Sequence, residues 1–341
     1  MKKSPHIIHI PVMGTGFSID SAIRVAHFGI STVISIIDDL LVEKIRKHYC
    51  NEYSLPYSVI PRWAEDGRAK RISAYLEMVK VIVEKNFKAV QALPFFEKND
   101  KEKYFRMLPE NNLLRIEWEK LLDMEPGDSR DDKSVQLTTQ MNPGSIDVNI
   151  MAKVDRMNTD KKGNPLGEIY SDARSALRGY ASTSLESSII FSAGINQGLY
   201  SYMTEFQDFY RNASGEIKKK IILKVSDFRS ALIQGKFLAK KGLEVHEFRI
   251  ESGLNCGGHA FASNGELLPV LLKEMREKRN QLSVSFRPLI EKYYVKMGWE
   301  FPKAVHIHEP LITVQGGIGT TGEIDRLVKD FGMDQVGIAS P

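Results

Sequence analysis

Hydrophobic residues fall along this chain in two rhythms. Short apolar runs at residues 7–12 and 32–37 flank residues 18–28, where Ile19, Ala22, Ile23 and Ala26 keep helical spacing. Gly29 closes that stretch as a C-cap glycine would. Strand, helix and strand within about 30 residues is the size of one βαβ unit. The alternation resumes after residue 145. Strands are predicted at 146–151, 188–192, 221–225, 245–250, 311–314 and 335–338, with helices at 171–186, 198–211, 228–241, 267–279 and 322–331. Residues 39–145 hold no convincing buried strand: 40–49 and 72–93 read as helices, and 97–133 is dense in charge, the pattern of a solvated surface.

Eight strands alternating with helices predict a parallel sheet. An open dinucleotide-binding sheet would carry Gly-x-Gly-x-x-Gly after its first strand. Here Gly14-Thr15-Gly16 is followed by Phe17, Ser18 and Ile19, and the glycine-rich turns come after strands seven and eight, where a barrel keeps a phosphate site. The expected fold is therefore α/β, a (β/α)8 TIM barrel built from 1–38 and 146–341. A large helical insertion (39–145) follows the second strand, and a smaller one is expected at 280–305. The sequence stops at Pro341 directly after the eighth strand, so the eighth helix is missing. A truncated chain is expected, with uncovered apolar surface that favours a homo-oligomer.

Composition narrows the partners. The 341 residues carry 47 basic and 43 acidic side chains, net charge +4, too small a bias to argue for nucleic acid or a membrane surface. The two cysteines, Cys50 and Cys256, lie far apart in no metal-ligand spacing, so neither a disulfide framework nor a metal site is expected. The apolar stretch behind the basic N-terminus is short and broken by His9, Pro11 and Gly14, unlike a signal peptide. With no run of about 18 apolar residues, a cytoplasmic protein acting on a small-molecule substrate is expected.

Three constellations carry chemistry. Val314-Gln315-Gly316-Gly317-Ile318-Gly319-Thr320-Thr321 can bring backbone amides close to an anion at a helix N-terminus, although a plain tight turn would use the same glycines. Gly332-Met333-Asp334-Gln335-Val336-Gly337-Ile338-Ala339-Ser340 follows one helix later, so the two strand ends become neighbours able to grip one phosphate. Glu251-Ser252-Gly253-Leu254-Asn255-Cys256-Gly257-Gly258-His259 places a histidine after the sixth strand, at the mouth of a barrel, where its ordinary pKa of about 6.5 suits proton transfer. Cys256 reads as a small packed residue, and His306 and His308, before the seventh strand, sit at the wrong end for catalysis. Asp38 and Asp39 either cap the next helix or meet substrate, and Asp155 and Arg156 are further candidates for substrate contact.

Gly257-Gly258-His259, the later Gln-Gly-Gly-Ile-Gly turn and the Gly-Met-Asp-Gln-Val-Gly-Ile-Ala-Ser segment resemble the nitronate monooxygenase (2-nitropropane dioxygenase-like) family of flavin-dependent barrels, which includes flavin-dependent enoyl-ACP reductases. Ile10-Pro11-Val12-Met13-Gly14 is similar to that family's first strand and Val148-Asn149 to its third. The resemblance implies FMN as cofactor, its phosphate on Gly316, Gly317, Gly337 and Ser340. It also implies Met13, Gly14 and Asn149 at the ring with Lys224 close by, Gly257 and Gly258 lining the site, and His259 as catalytic base or substrate-orienting residue. Asn255-Cys256 stands where the family has Glu-Ala, and residues 39–145 have no family counterpart. The expected activity is an FMN-dependent oxidoreductase, monooxygenase- or dioxygenase-like, oxidising a small substrate with an acidic C–H by oxygen. The alternatives are an NAD(P)H-dependent flavin enoyl-thioester reductase, a non-flavin phosphate-binding barrel, or a non-catalytic interaction subunit.

Overall fold

The computed structural model describes residues 5–14, 18–150, 155–192, 194–251, 267–302 and 309–338. Eight parallel strands close into a barrel in sequence order: β1 (Ile8–Ile10), β2 (Ser31–Ser35), β3 (Ile146–Ile150), β4 (Ser187–Phe191), β5 (Lys219–Val225), β6 (Val245–Glu251), β7 (Leu311–Gln315) and β8 (Gln335–Gly337). The ring shuts where Ile8 pairs with Val336 and His9 with Gly337. The expected TIM barrel is the fold observed.

Side chains alternate along each strand between the bore and the surrounding helices. Ile34, Val148, Ile189, Phe191, Leu223, Phe248, Ile250, Val314 and Val336 point outward into the main core, under α1 (Ser21–Val25), α2 (Asp39–Glu52), α3 (Gly67–Ala92) and the later helices. Val33, Ile190 and Ile222 form a separate small cluster inside the bore.

Residues 39–145 divide into two parts. The helix α3 buries Ile72, Tyr75, Leu76, Val79, Ile82 and Val83 in the main core and packs on α1, α2 and α7 (Asp172–Ala181). It is thus the barrel's own second covering helix. The remainder, α4 (Asp100–Arg106), α5 (Leu113–Leu122) and α6 (Asp128–Gln140), joins the end of α3 around a second core of Phe87, Tyr104, Phe105, Trp118, Leu121 and Leu137. That core takes in Phe28 just before β2 and Met141 just before β3, so it sits under the N-terminal end of the barrel, away from the mouth. The Tyr104 hydroxyl, 3.0 Å from both the amide and the carbonyl oxygen of Asn142, ties it there.

On the far side come α8 (Gln197–Tyr202), α9 (Phe228–Ala239), α10 (Leu267–Lys296) and α11 (Thr321–Lys329). The separate helical insertion expected from residue 280 is instead the second half of α10, which runs unbroken for 30 residues. Leu272, Met275, Leu282, Phe286, Ile290 and Tyr294 keep one buried stripe through it. Pro288 is tolerated because it and Val284, whose carbonyl loses its partner four residues on, both face solvent.

Candidate functional site

The C-terminal ends of the strands form one rim, the end at which TIM barrels gather their sites. Asn149, Lys224, Glu251 and Gln315 occupy inward positions there, on β3, β5, β6 and β7. The Lys224 ammonium lies 3.0 Å from the Glu251 carboxylate, and the Gln315 side-chain amide donates to the same carboxylate oxygen at 2.7 Å. Asn149, expected at the flavin ring, is buried on this rim. Met13 and Gly14 follow β1 at the same end, Met13 half exposed and its amide 2.7 Å from the Ser18 hydroxyl. Gly316 and Gly317 follow β7 with φ of 97° and 72°, left-handed backbone that glycine adopts without strain. The expected residues Gly257, Gly258, His259 and Ser340, together with Cys256, His306 and His308, lie outside the described residues.

Among the described residues, two buried atoms on this rim have no hydrogen-bond partner: Ser35 Oγ at the end of β2 and Gln315 Oε1 at the end of β7. Leaving a buried polar group unpaired costs about 1–3 kcal/mol, so a polar ligand at the mouth has two acceptors or donors to satisfy. These atoms, the amide of Asn149, the Lys224 cation and the Gly316 and Gly317 turn suit a polar ring system carrying a phosphate.

The helix N-terminus behind the glycines and the expected phosphate residue Gly337 each have a structural role as well. The amides of Gly319 and Thr320, the helix N-terminus behind the glycines, each donate at 2.9 Å to the Glu323 carboxylate. These bonds hold that carboxyl below its usual range, and Thr320 and Glu323 complete a capping box. A phosphate is therefore left the turn before Gly319 rather than the helix end. At Gly337 an added Cβ would stand 2.6 Å from Gln315 Cβ and 2.8 Å from His9 Nε2, so close packing alone requires glycine.

Beneath the rim the bore is charged. Arg249 and Glu247, both buried on β6, meet at 2.6 Å, and the Thr313 hydroxyl donates to the same Glu247 oxygen. Burial alone would raise the Glu247 carboxyl, but Arg249 outweighs it and the net shift is downward. His9 lies beside this pair; burial first, then Arg249, push its imidazole down to about 3, so it is neutral. Burial raises the Asp147 carboxyl against the pull of Ser145 and the Ser188 amide.

The sequence reasoning passed over Glu247, Arg249, Glu251 and Gln315 as site residues. Their signal was present: charged residues at every second position of an otherwise apolar strand, the alternation of a barrel strand with a polar interior. Asp38 caps α2, accepting from the amides of Leu40 and Leu41, whereas Asp39 binds Arg68 and Arg71. Asp155 is spent on the start of α7, accepting from Ser171 Oγ at 2.9 Å and the Ala173 amide at 2.8 Å. Arg156 is exposed.

No protein-family model matches the chain, and no curated protein matches it. No helix among the described residues is long and apolar enough to cross a membrane.

Proposed function

We propose that the chain is an FMN-dependent oxidoreductase working at the barrel mouth, oxidising a small substrate with an acidic C–H and passing the electrons to oxygen. The observation that carries this is the rim itself. Asn149, Lys224 and the Gly316 and Gly317 turn, expected at a flavin from sequence, share one end of the bore with Ser35 Oγ and Gln315 Oε1, which have no partner among the described residues. Gly316 and Gly317 would hold the phosphate, and Asn149 and Gln315 the polar edge of the ring. Bound FMN would supply two-electron chemistry. Glu251 holds Lys224 by an ion pair and Gln315 by a hydrogen bond, which fixes both side chains before any ligand arrives. The Lys224 cation favours negative charge developing at the mouth. His259 is assigned from sequence the task of taking the proton from the substrate carbon.

The test is the absorbance spectrum of the purified protein and of the protein titrated with FMN. A flavin band at one FMN per chain is expected, and Gly317→Val should abolish it, since a side chain would stand between backbone amides and phosphate. A colourless protein that takes up no added FMN would remove the proposal.

A further inference from the structure

A cleft of about 820 Å³ lies between the segment after β2 and the loop after β3. Its volume is that of a small-ligand site, and its residues take no part in the rim described above.

By formal charge the cleft is nearly neutral, but of its five acids only Glu65 is without an ion pair or hydrogen bond among the described residues, Asp172 lying 3.6 Å from Arg68. Asp39 is held by both Arg68 and Arg71. Asp66 is bound by Arg178 through Nε and Nη2 of its guanidinium. The carboxylate of Asp160 closes its own turn, accepting from the amides of Lys162 at 2.8 Å and Asn164 at 2.9 Å. Apart from Arg68 and Arg71, the cations have no close acidic partner among the described residues. Arg62, Lys161 and Lys162 form no ion pair among the described residues. Arg156 reaches Asp172 only at 3.8 Å with its side chain 74% exposed. Between them Trp63 is half exposed, with the Arg62 guanidinium 5.0 Å from its ring centre.

Both walls are braced. Arg71 grips the Pro61 carbonyl at 2.7 Å and the Ile60 amide donates to Glu43 at 3.0 Å, which fixes the backbone leading to Arg62 and Trp63. Across the cleft, the Asp160 turn and the pairing of Thr159 with Pro165 hold Lys161 and Lys162 at a loop tip. An exposed indole next to uncommitted cations, facing further cations across a gap of this size, is matched by a flat ring carrying several negative charges.

We infer that this cleft binds a nucleoside di- or triphosphate group, the base stacked on Trp63 and the phosphates between Arg62, Arg156, Lys161 and Lys162. Such a group is either a free nucleotide or the handle of a larger co-substrate whose reacting end lies at the barrel mouth. The inference stands apart from the flavin proposal, because the two sites share no residue.

Calorimetric titration of the full chain with ADP, without added flavin, tests it. Saturable one-to-one binding is expected, weakened about tenfold or more by Trp63→Ala and by the pair Arg62→Ala with Arg156→Ala, the loss of a stacked ring or of charge-assisted hydrogen bonds. Inorganic phosphate should bind more weakly than ADP and compete with it. Circular dichroism confirms that these surface variants stay folded. No binding of ADP by the parent chain, equal affinity in the variants, or tighter binding of a short single-stranded oligonucleotide than of ADP would each overturn the inference. Retained ADP binding in a protein that takes up no FMN would sink only the flavin proposal.

Discussion

Inside the barrel two groups of side chains face each other with opposite chemistry. On one side Val33, Ile190 and Ile222, from β2, β4 and β5, make an apolar cluster joined by Val12, with Asp147 of β3 the one buried carboxyl between those strands among the described residues. On the other, β1, β6 and β7 contribute His9, Glu247, Arg249 and Thr313, all essentially without solvent. The apolar side stabilises by burial at about 25 cal/mol per Å². The charged side must recover the cost of taking ions out of water, and buried pairs rarely do so with profit. The strands that bear this cost are those that end in Glu251 and Gln315, directly above. The difference teaches where the barrel spends stability to hold a polar mouth in place, and that is the side on which the Gly316 and Gly317 turn emerges.

Removing one ion of the pair is the harshest way to break the comparison. Arg249→Leu leaves Glu247 buried without its partner and should cost about 3–5 kcal/mol in urea unfolding. Adding Glu247→Leu should restore most of that loss, since an apolar pair of similar volume asks for no compensation. If the single variant unfolds like the parent, Arg249 and Glu247 are hydrated and the bore has no charged side.

A smaller effect follows from the glycine where the two layers touch. Gly337→Ala drives a methyl group against Gln315 and His9 together, and overpacking of this kind costs about 1–3 kcal/mol. Because Gln315 is bonded to Glu251, the same variant should also disturb ligand binding at the mouth. Unchanged stability and unchanged ligand affinity would show that the two layers are not coupled through this position.

The strands were legible because parallel barrel strands bury one face under helices and read as apolar runs; residues 146–151 were expected and Ile146–Ile150 is found. What faces the bore was not, since Glu247, Arg249 and Glu251 look in isolation like surface charges between Phe248 and Ile250. The role of α3 was hidden for a different reason. Its partners, α1 and α7, lie far from it in sequence, so its 26 residues read as part of an insertion. The turn after β7 shows two signals in competition: its glycines suggested an anion, while Thr320 and Glu323, in capping-box spacing, announced that the helix brings its own. Lys224 lies on the rim, and its partner Glu251 emerges only from the register of β5 against β6.

The mildest test of the comparison is pH. Burial holds the imidazoles of His6 and His9 well down, to about 4 and about 3, and lowers that of His27 as well. The unfolded chain takes up protons as pH falls through about 6.5, the ordinary histidine value, whereas the folded chain keeps these rings neutral. Above that pH they contribute nothing to the pH dependence. Between about 6 and 4 each of His6 and His9 should remove about 1 kcal/mol of stability per pH unit, and the loss from His9 ends only near pH 3, where the folded ring itself protonates. Of the buried carboxyls in the bore, Glu247 is shifted down and Asp147 up, so the parent and the variant are compared with each other. Urea midpoints measured at pH 7 and pH 5 should therefore fall in the parent chain. In His9→Gln they should fall less, because the side chain that the unfolded state protonates is gone. The change in slope, not the stability of the variant at one pH, is the quantity that decides. An undiminished fall in His9→Gln would mean that the ring beside Arg249 carries a proton in the folded protein, and that the charged side of the bore holds one more cation than its geometry allows.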